Sequence, residues 1–146
     1  MAITQAIANA FKQQLLEGDA NFKNSGGDVF KLALYTSSAT LNSATTSFTT
    51  TNEVANTGTY ASGGDPLAGQ NTSIASGVAI VDFADLSFTG VTLTARGAMI
   101  YNTSSAVTNA AVAILDFGAD KTATSGTFTI QFPAFTTAAA ILRISG

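Results

Sequence analysis

Four aspartates close two similar apolar runs. Asp82 and Asp85 end Ala79-Ile80-Val81-Asp82-Phe83-Ala84-Asp85; Asp116 and Asp120 end Ala113-Ile114-Leu115-Asp116-Phe117-Gly118-Ala119-Asp120. Paired carboxylates can divide acid and base roles, or offer oxygen ligands to calcium. Neither pair has calcium-loop spacing. Aspartates at strand ends also accept turn N–H bonds, and that structural role is the one their positions favour. The other ingredients of catalysis are missing. The chain has no histidine and no cysteine, so its many serines and threonines lack the usual activating base. There is no Gly-x-Ser-x-Gly elbow. Gly26-Gly27 and Gly63-Gly64 lack the Lys-Ser/Thr of a phosphate loop and read as turns. No catalytic, cofactor-binding or metal-ligating residue is assigned, and the expectation is a non-enzymatic protein without cofactors. A hydrolase built on the aspartate pairs is the weakest alternative.

Composition narrows the remaining classes. The 146 residues fit one domain. Apolar residues make up 46% and charged residues only 10%, far below the usual quarter. A surface so poor in charge is covered by hydroxyls and small side chains or by partners, which points to a homo-oligomer or an assembled lattice. The net charge of −3 and the scatter of Lys12, Lys23, Lys31, Arg96, Lys121 and Arg143 argue against nucleic acid. The first residues have no basic start and no unbroken apolar run, so they read as neither signal peptide nor membrane span. Asn71-Thr72-Ser73 and Asn102-Thr103-Ser104 match the glycosylation pattern, a chance match in so hydroxyl-rich a chain. Tyr35, Tyr60 and Tyr101 would form a sugar-binding platform only if clustered on a surface.

The elements that must carry these residues are mostly β. Ile3, Ile7, Phe11 and Leu15 recur at helical spacing, and Gly18 is a natural stop, so residues 1–18 read as one amphipathic helix. Its narrow apolar stripe must dock on the sheet or on a neighbour. From residue 19 to 146 the pattern is a single β-sandwich domain, Ig-like or jelly-roll-like, with mainly antiparallel strands. Strands are expected at 29–35, 73–83, 87–94, 97–101, 111–117, 127–132 and 140–144, where β-branched and aromatic residues alternate with polar ones. Residues 37–72 read as a long, mostly irregular excursion with one short strand near 53–60. Arg96 and Arg143 are isolated charges among apolar residues, each able to pair with an aspartate across the sheet or across a subunit interface.

Several stretches act together as a likeness. They are Met1-Ala2-Ile3-Thr4-Gln5-Ala6-Ile7, Phe30-Lys31-Leu32-Ala33-Leu34-Tyr35-Thr36-Ser37-Ser38-Ala39-Thr40-Leu41, Thr51-Asn52-Glu53-Val54, Ala95-Arg96-Gly97-Ala98-Met99-Ile100-Tyr101-Asn102, Leu115-Asp116-Phe117-Gly118-Ala119-Asp120-Lys121 and Gly126-Thr127-Phe128-Thr129-Ile130-Gln131-Phe132-Pro133. The chain resembles a family of small virion structural proteins of tailed bacteriophages, over most of its length and least across 57–75. The resemblance implies a capsid cement or decoration protein on the head surface, made in the host cytoplasm, that binds the major capsid protein and self-associates, most simply as a trimer. It brings no catalytic residues. Ile3, Ile7, Phe11, Leu15, Glu53, Arg96 and Arg143 are the expected interface residues. A tail or fibre component and a carbohydrate-binding β module are the alternatives.

Overall fold

The computed structural model describes residues 2–145. Its elements in chain order are β1 (Ala6–Ile7), α1 (Asn9–Leu16), β2 (Phe30–Tyr35), β3 (Asp65–Pro66), β4 (Asn71–Ala75), β5 (Val78–Asp82), β6 (Leu86–Asn102), β7 (Ala110–Ile130) and β8 (Leu142–Ile144). They form two antiparallel sheets, one in the order β1-β7-β6-β2-β3 and one in the order β4-β5-β8. The fold is therefore all-β with a single short helix near its N-terminus.

The spine of the larger sheet is the β6/β7 hairpin. Phe88, Val91, Leu93 and Ala95 are buried while Ser87, Thr89, Thr92 and Thr94 are exposed, because successive side chains on a strand point to opposite faces. Expected separate strands are fused here. Residues 87–94 and 97–101 run together as β6, and 111–117 and 127–132 as β7. The register absorbs the irregularities: Ala95 faces Lys121 and Gly97 faces Asp116, so residues 117–120 loop out of the ladder as a bulge. A bulge lets one strand carry extra residues without ending the pairing.

The opposite happens at 73–83, expected as one strand. Ser76 (φ 50°) and Gly77 (φ 76°) both adopt the left-handed region and fold the run back on itself as the β4/β5 hairpin. Two central residues at positive φ give the turn whose twist matches paired strands.

The N-terminal helix is shorter than its periodicity predicts. Only Asn9–Leu16 is helical. Ala6 and Ile7 are extended and pair with Ile114 and Ala113 on the edge of β7. Ile3 is buried and bridged to Leu41, and the Ala8 N–H donates to the Val112 carbonyl at 2.9 Å. The free edge of β7 offers these residues hydrogen bonds that an isolated helical turn would gain only at a nucleation cost. The first residues are thus part of the β domain and not an appendage to it.

The two sheets and the helix meet in an aromatic cluster. Phe22 stacks on Phe30 at 4.4 Å between ring centres and meets Phe11 edge-on at 5.9 Å. Phe83, which follows β5, contacts Phe22, Phe30 and Phe132. Rings at these distances and tilts add attraction beyond the area they bury.

Residues 36–64 are largely without regular structure: 41–48 bond to the N-terminal segment and to the start of β7, 52–54 to the end of β2, and 57–59 to the part of β6 beyond β2. Around 53–60 there are isolated bridges, Tyr35 to Glu53 and Thr57 to Tyr60, in place of the expected short strand. Gly64 passes so close to β2 that a Cβ there would stand 1.7 Å from the Leu32 carbonyl oxygen, and only glycine is accommodated.

Candidate functional site

Two of the four carboxylates that the sequence singles out, Asp85 and Asp116, serve the backbone. Asp85 Oδ1 accepts from the Phe132 N–H at 2.8 Å. Asp116 Oδ1 accepts from the Gly118 N–H at 2.9 Å and from Arg96 Nε at 3.1 Å. The backbone bond first, and the guanidinium second, hold the Asp116 carboxyl below the usual carboxylate range. Asp82 differs: its Oδ1 is buried without a hydrogen-bond partner. The two aspartate runs lie on different sheets, β5 and β7, and form no shared acidic pair. Among the described residues no group of three or more His, Cys, Asp or Glu could hold a metal ion. No helix among them is long and apolar enough to cross a membrane.

Glu53 is a structural node within the excursion. Its carboxylate accepts from the Tyr60 hydroxyl at 2.7 Å, the Gly63 N–H at 2.6 Å and the Ser62 hydroxyl at 2.8 Å. The Tyr60 oxygen also accepts from the Leu34 N–H at 2.8 Å, and Tyr101 donates to the Gly63 carbonyl at 2.6 Å. Tyr35, Tyr60 and Tyr101 are all buried, so they offer no surface platform to a sugar. Desolvation pushes all three phenols upward, Tyr101 to about 12. Asn102 is buried too, and its amide donates to Asp28 at 2.8 Å, which removes it as a glycan acceptor in the folded chain.

Of the expected interface residues, the structure gathers four around one groove and leaves three elsewhere. Ile3 is in the core, Glu53 is in the excursion, and Arg96 is paired across the β6/β7 hairpin. Ile7, Phe11, Leu15 and Arg143 line a groove of about 770 Å³ between α1 and the three-stranded sheet. Helical spacing places Phe11 and Leu15 on one side of α1, and the extended Ile7 continues that wall. The opposite wall is set by register. Val81 faces Leu142 and Ala79 faces Ile144, so these four side chains share one face of the sheet, and all four line the groove.

The third wall is the segment 18–23, which carries Phe22 and Lys23. It is tied down by polar bonds that the sequence pattern does not reveal. The Gln70 amide donates to the carbonyls of Lys23 at 2.8 Å and Asp28 at 3.0 Å. The Asn21 N–H donates to Asp28 Oδ2 at 3.0 Å. At the mouth, Leu16 is 89% exposed and Ile144 58%. Leu16 lies off the helical stripe, and the sheet residues become a wall only through strand pairing. Neither could be singled out by periodicity, although an extra leucine at the end of a narrow stripe was the available sign.

Lys12 and Lys23 also line the groove, with no carboxylate among the lining residues. Arg143 borders it, but alternates with Leu142 and Ile144 along β8 and donates to the carbonyls of Thr137 at 3.2 Å and Ala138 at 3.0 Å in place of an aspartate. The nearest acidic neighbours along the chain are engaged elsewhere. Asp19 accepts from the Ala106 N–H at 3.0 Å and the Ser105 hydroxyl at 2.7 Å, which hold its carboxyl below the usual range, the backbone bond foremost. Glu17 accepts from the Gln13 amide on the exposed helix surface at 3.3 Å. The groove is an apolar trough with two lysines at its margin. Comparison with protein-family models, curated proteins and solved structures finds no match for the chain.

Proposed function

We propose that this chain is a non-enzymatic structural protein of a phage particle, a capsid cement or decoration protein that binds the major capsid protein lattice and stabilises the head. The observation that carries the reading is the apolar groove, whose Leu16 and Ile144 are left exposed among the described residues. Exposed apolar surface framed by polar residues is the usual mark of a protein contact. Supporting it are the sequence likeness to small virion proteins and the engagement of Asp85, Asp116 and Glu53 in backbone and hydroxyl bonds. Low surface charge fits large contacts between copies, and self-association about a lattice symmetry axis, as a trimer, belongs to the same reading. Burial of the three tyrosines removes the feature that favoured a carbohydrate-binding module.

The test is antibody labelling of the particles encoded alongside the chain, viewed by electron microscopy. Label spread over the head is the expected result. Label confined to the tail would make the protein a tail or fibre component, and particles without label would overturn a virion role.

A further inference from the structure

We infer that the groove receives an extended, acidic segment of a partner polypeptide, whose apolar side chains enter the trough while its carboxylates meet Lys12 and Lys23. This rests on the structural reading above and names the chemistry of the contact. Three observations carry it. The trough between α1 and the Val81–Leu142 and Ala79–Ile144 pairs is apolar on both walls. Two exposed lysines, Lys12 and Lys23, stand at it with no carboxylate among the lining residues although the chain is net negative, so a segment of opposite charge is attracted and a basic one repelled. Strand β8 is at the edge of its sheet in the order β4-β5-β8, which leaves one side of its backbone open to pairing with an added strand. Strand addition draws affinity from main-chain bonds and specificity from alternate side chains that drop into pockets. A free sheet edge beside the trough is why a polypeptide fits this site better than a small amphiphile, which would use the trough and the charge but not the edge.

The experiment uses the full chain and a labelled, end-blocked peptide that alternates leucine with glutamate or serine, followed by fluorescence anisotropy. Binding is expected for this peptide, together with a loss of at least about tenfold when lysine replaces its glutamates. A similar loss is expected for K12E/K23E, and again when salt is raised enough to screen charges over the width of the groove. Both lysines are exposed, so the variant keeps the fold, which its circular dichroism checks. I144E, at the mouth, is a second variant that should abolish binding without touching the cations. Equal binding of the acidic and basic peptides would overturn the proposal, as would no binding of either. Binding of dodecanoate with none of the peptide would also overturn it, in favour of a small amphiphile. If the peptide fails while antibody still labels the head, the groove assignment falls and the virion reading stands. If the peptide binds but the particles carry no label, the reverse holds.

Discussion

Glu53 and Tyr60 show how much one buried hydroxyl can organise. The Tyr60 oxygen both donates to Glu53 and accepts from the Leu34 N–H in β2, so it links the excursion to the larger sheet. Tyr60→Phe keeps the ring and its edge-on contact with Phe88 but leaves the Leu34 N–H without its hydroxyl acceptor and removes one of three donors to Glu53, which keeps Ser62 and Gly63. The expected loss is about 1–3 kcal/mol, read from the midpoint of urea unfolding. The same residues make the fold sensitive to alkali. In the folded chain the three phenols are held neutral by burial, with Tyr101 pushed up to about 12, while in the unfolded chain they ionise near about 10. Above that value the unfolded state binds fewer protons than the native one, so stability falls as pH rises. Stability should be fully present below about pH 10 and lost progressively through the Tyr101 value of about 12. A pH series of urea midpoints, with tyrosinate absorbance rising together with unfolding, is the check. Early ionisation in the folded protein would contradict it.

Among the elements, the short helix depends most on tertiary contacts. Asn9–Leu16 has no side-chain N-cap bond and is too short to be stable alone. It is held by Phe11 against Phe22, and Phe22 in turn stacks on Phe30 and contacts Phe83. Phe22→Ala should therefore cost about 3–5 kcal/mol. It should also free α1 and the 18–23 wall of the groove, because the polar bonds of Gln70 and Asp28 hold the backbone of that segment but not its side of the core. Hydrogen exchange is expected to show faster exchange in α1 than in β6 and β7. Uniform exchange across all three would mean that the helix is anchored by something other than this cluster. By contrast the β6/β7 hairpin carries its own design in sequence: inward Phe88, Val91, Leu93 and Ala95 against outward threonines, with hydroxyl pairs such as Thr94 and Thr122 at 2.9 Å across the strands.

For the whole molecule, the N-terminal segment is a structural strand before it is a contact. Read as a separate amphipathic helix, residues 1–18 would be removable without loss of the β fold. Burial of Ile3, Ala8 and Phe11 and the pairing of β1 with β7 argue otherwise. Deleting residues 1–8 should expose the edge of β7 and part of the core, giving a chain that unfolds at lower urea or aggregates, as an uncovered strand edge tends to do. Soluble, cooperatively folding truncated protein would contradict this. The groove shares Ile7 and Phe11 with these buried contacts, so truncation would disturb both, and the groove's contribution is isolated better by surface variants at Lys12, Lys23 and Ile144.

The sequence alone determined the fold class, because period-two alternation such as Thr127-Phe128-Thr129-Ile130-Gln131-Phe132 is a local consequence of strand geometry. It also pointed to the backbone role of Asp85, beside a strand end, since that role needs only nearby N–H groups. Asp116 plays it inside β7, at the bulge, and not at the strand end that the sequence suggests. Helix α1 was half legible: Phe11 and Leu15 belong to it, but Ile3 and Ile7 follow the same spacing and are extended. Which state they take depends on the free edge of β7, more than a hundred residues away in sequence. The pairing of Arg96 with Asp116 was legible as a possibility, and the bulge at 117–120 that frames it was not, because bulges are set by register between strands. The groove belongs wholly to the tertiary structure. Its walls come from α1, the 18–23 segment, β5 and β8, and no local pattern brings Leu16, Val81 and Ile144 together. Chain topology does, by pairing distant strands and setting the helix across from them.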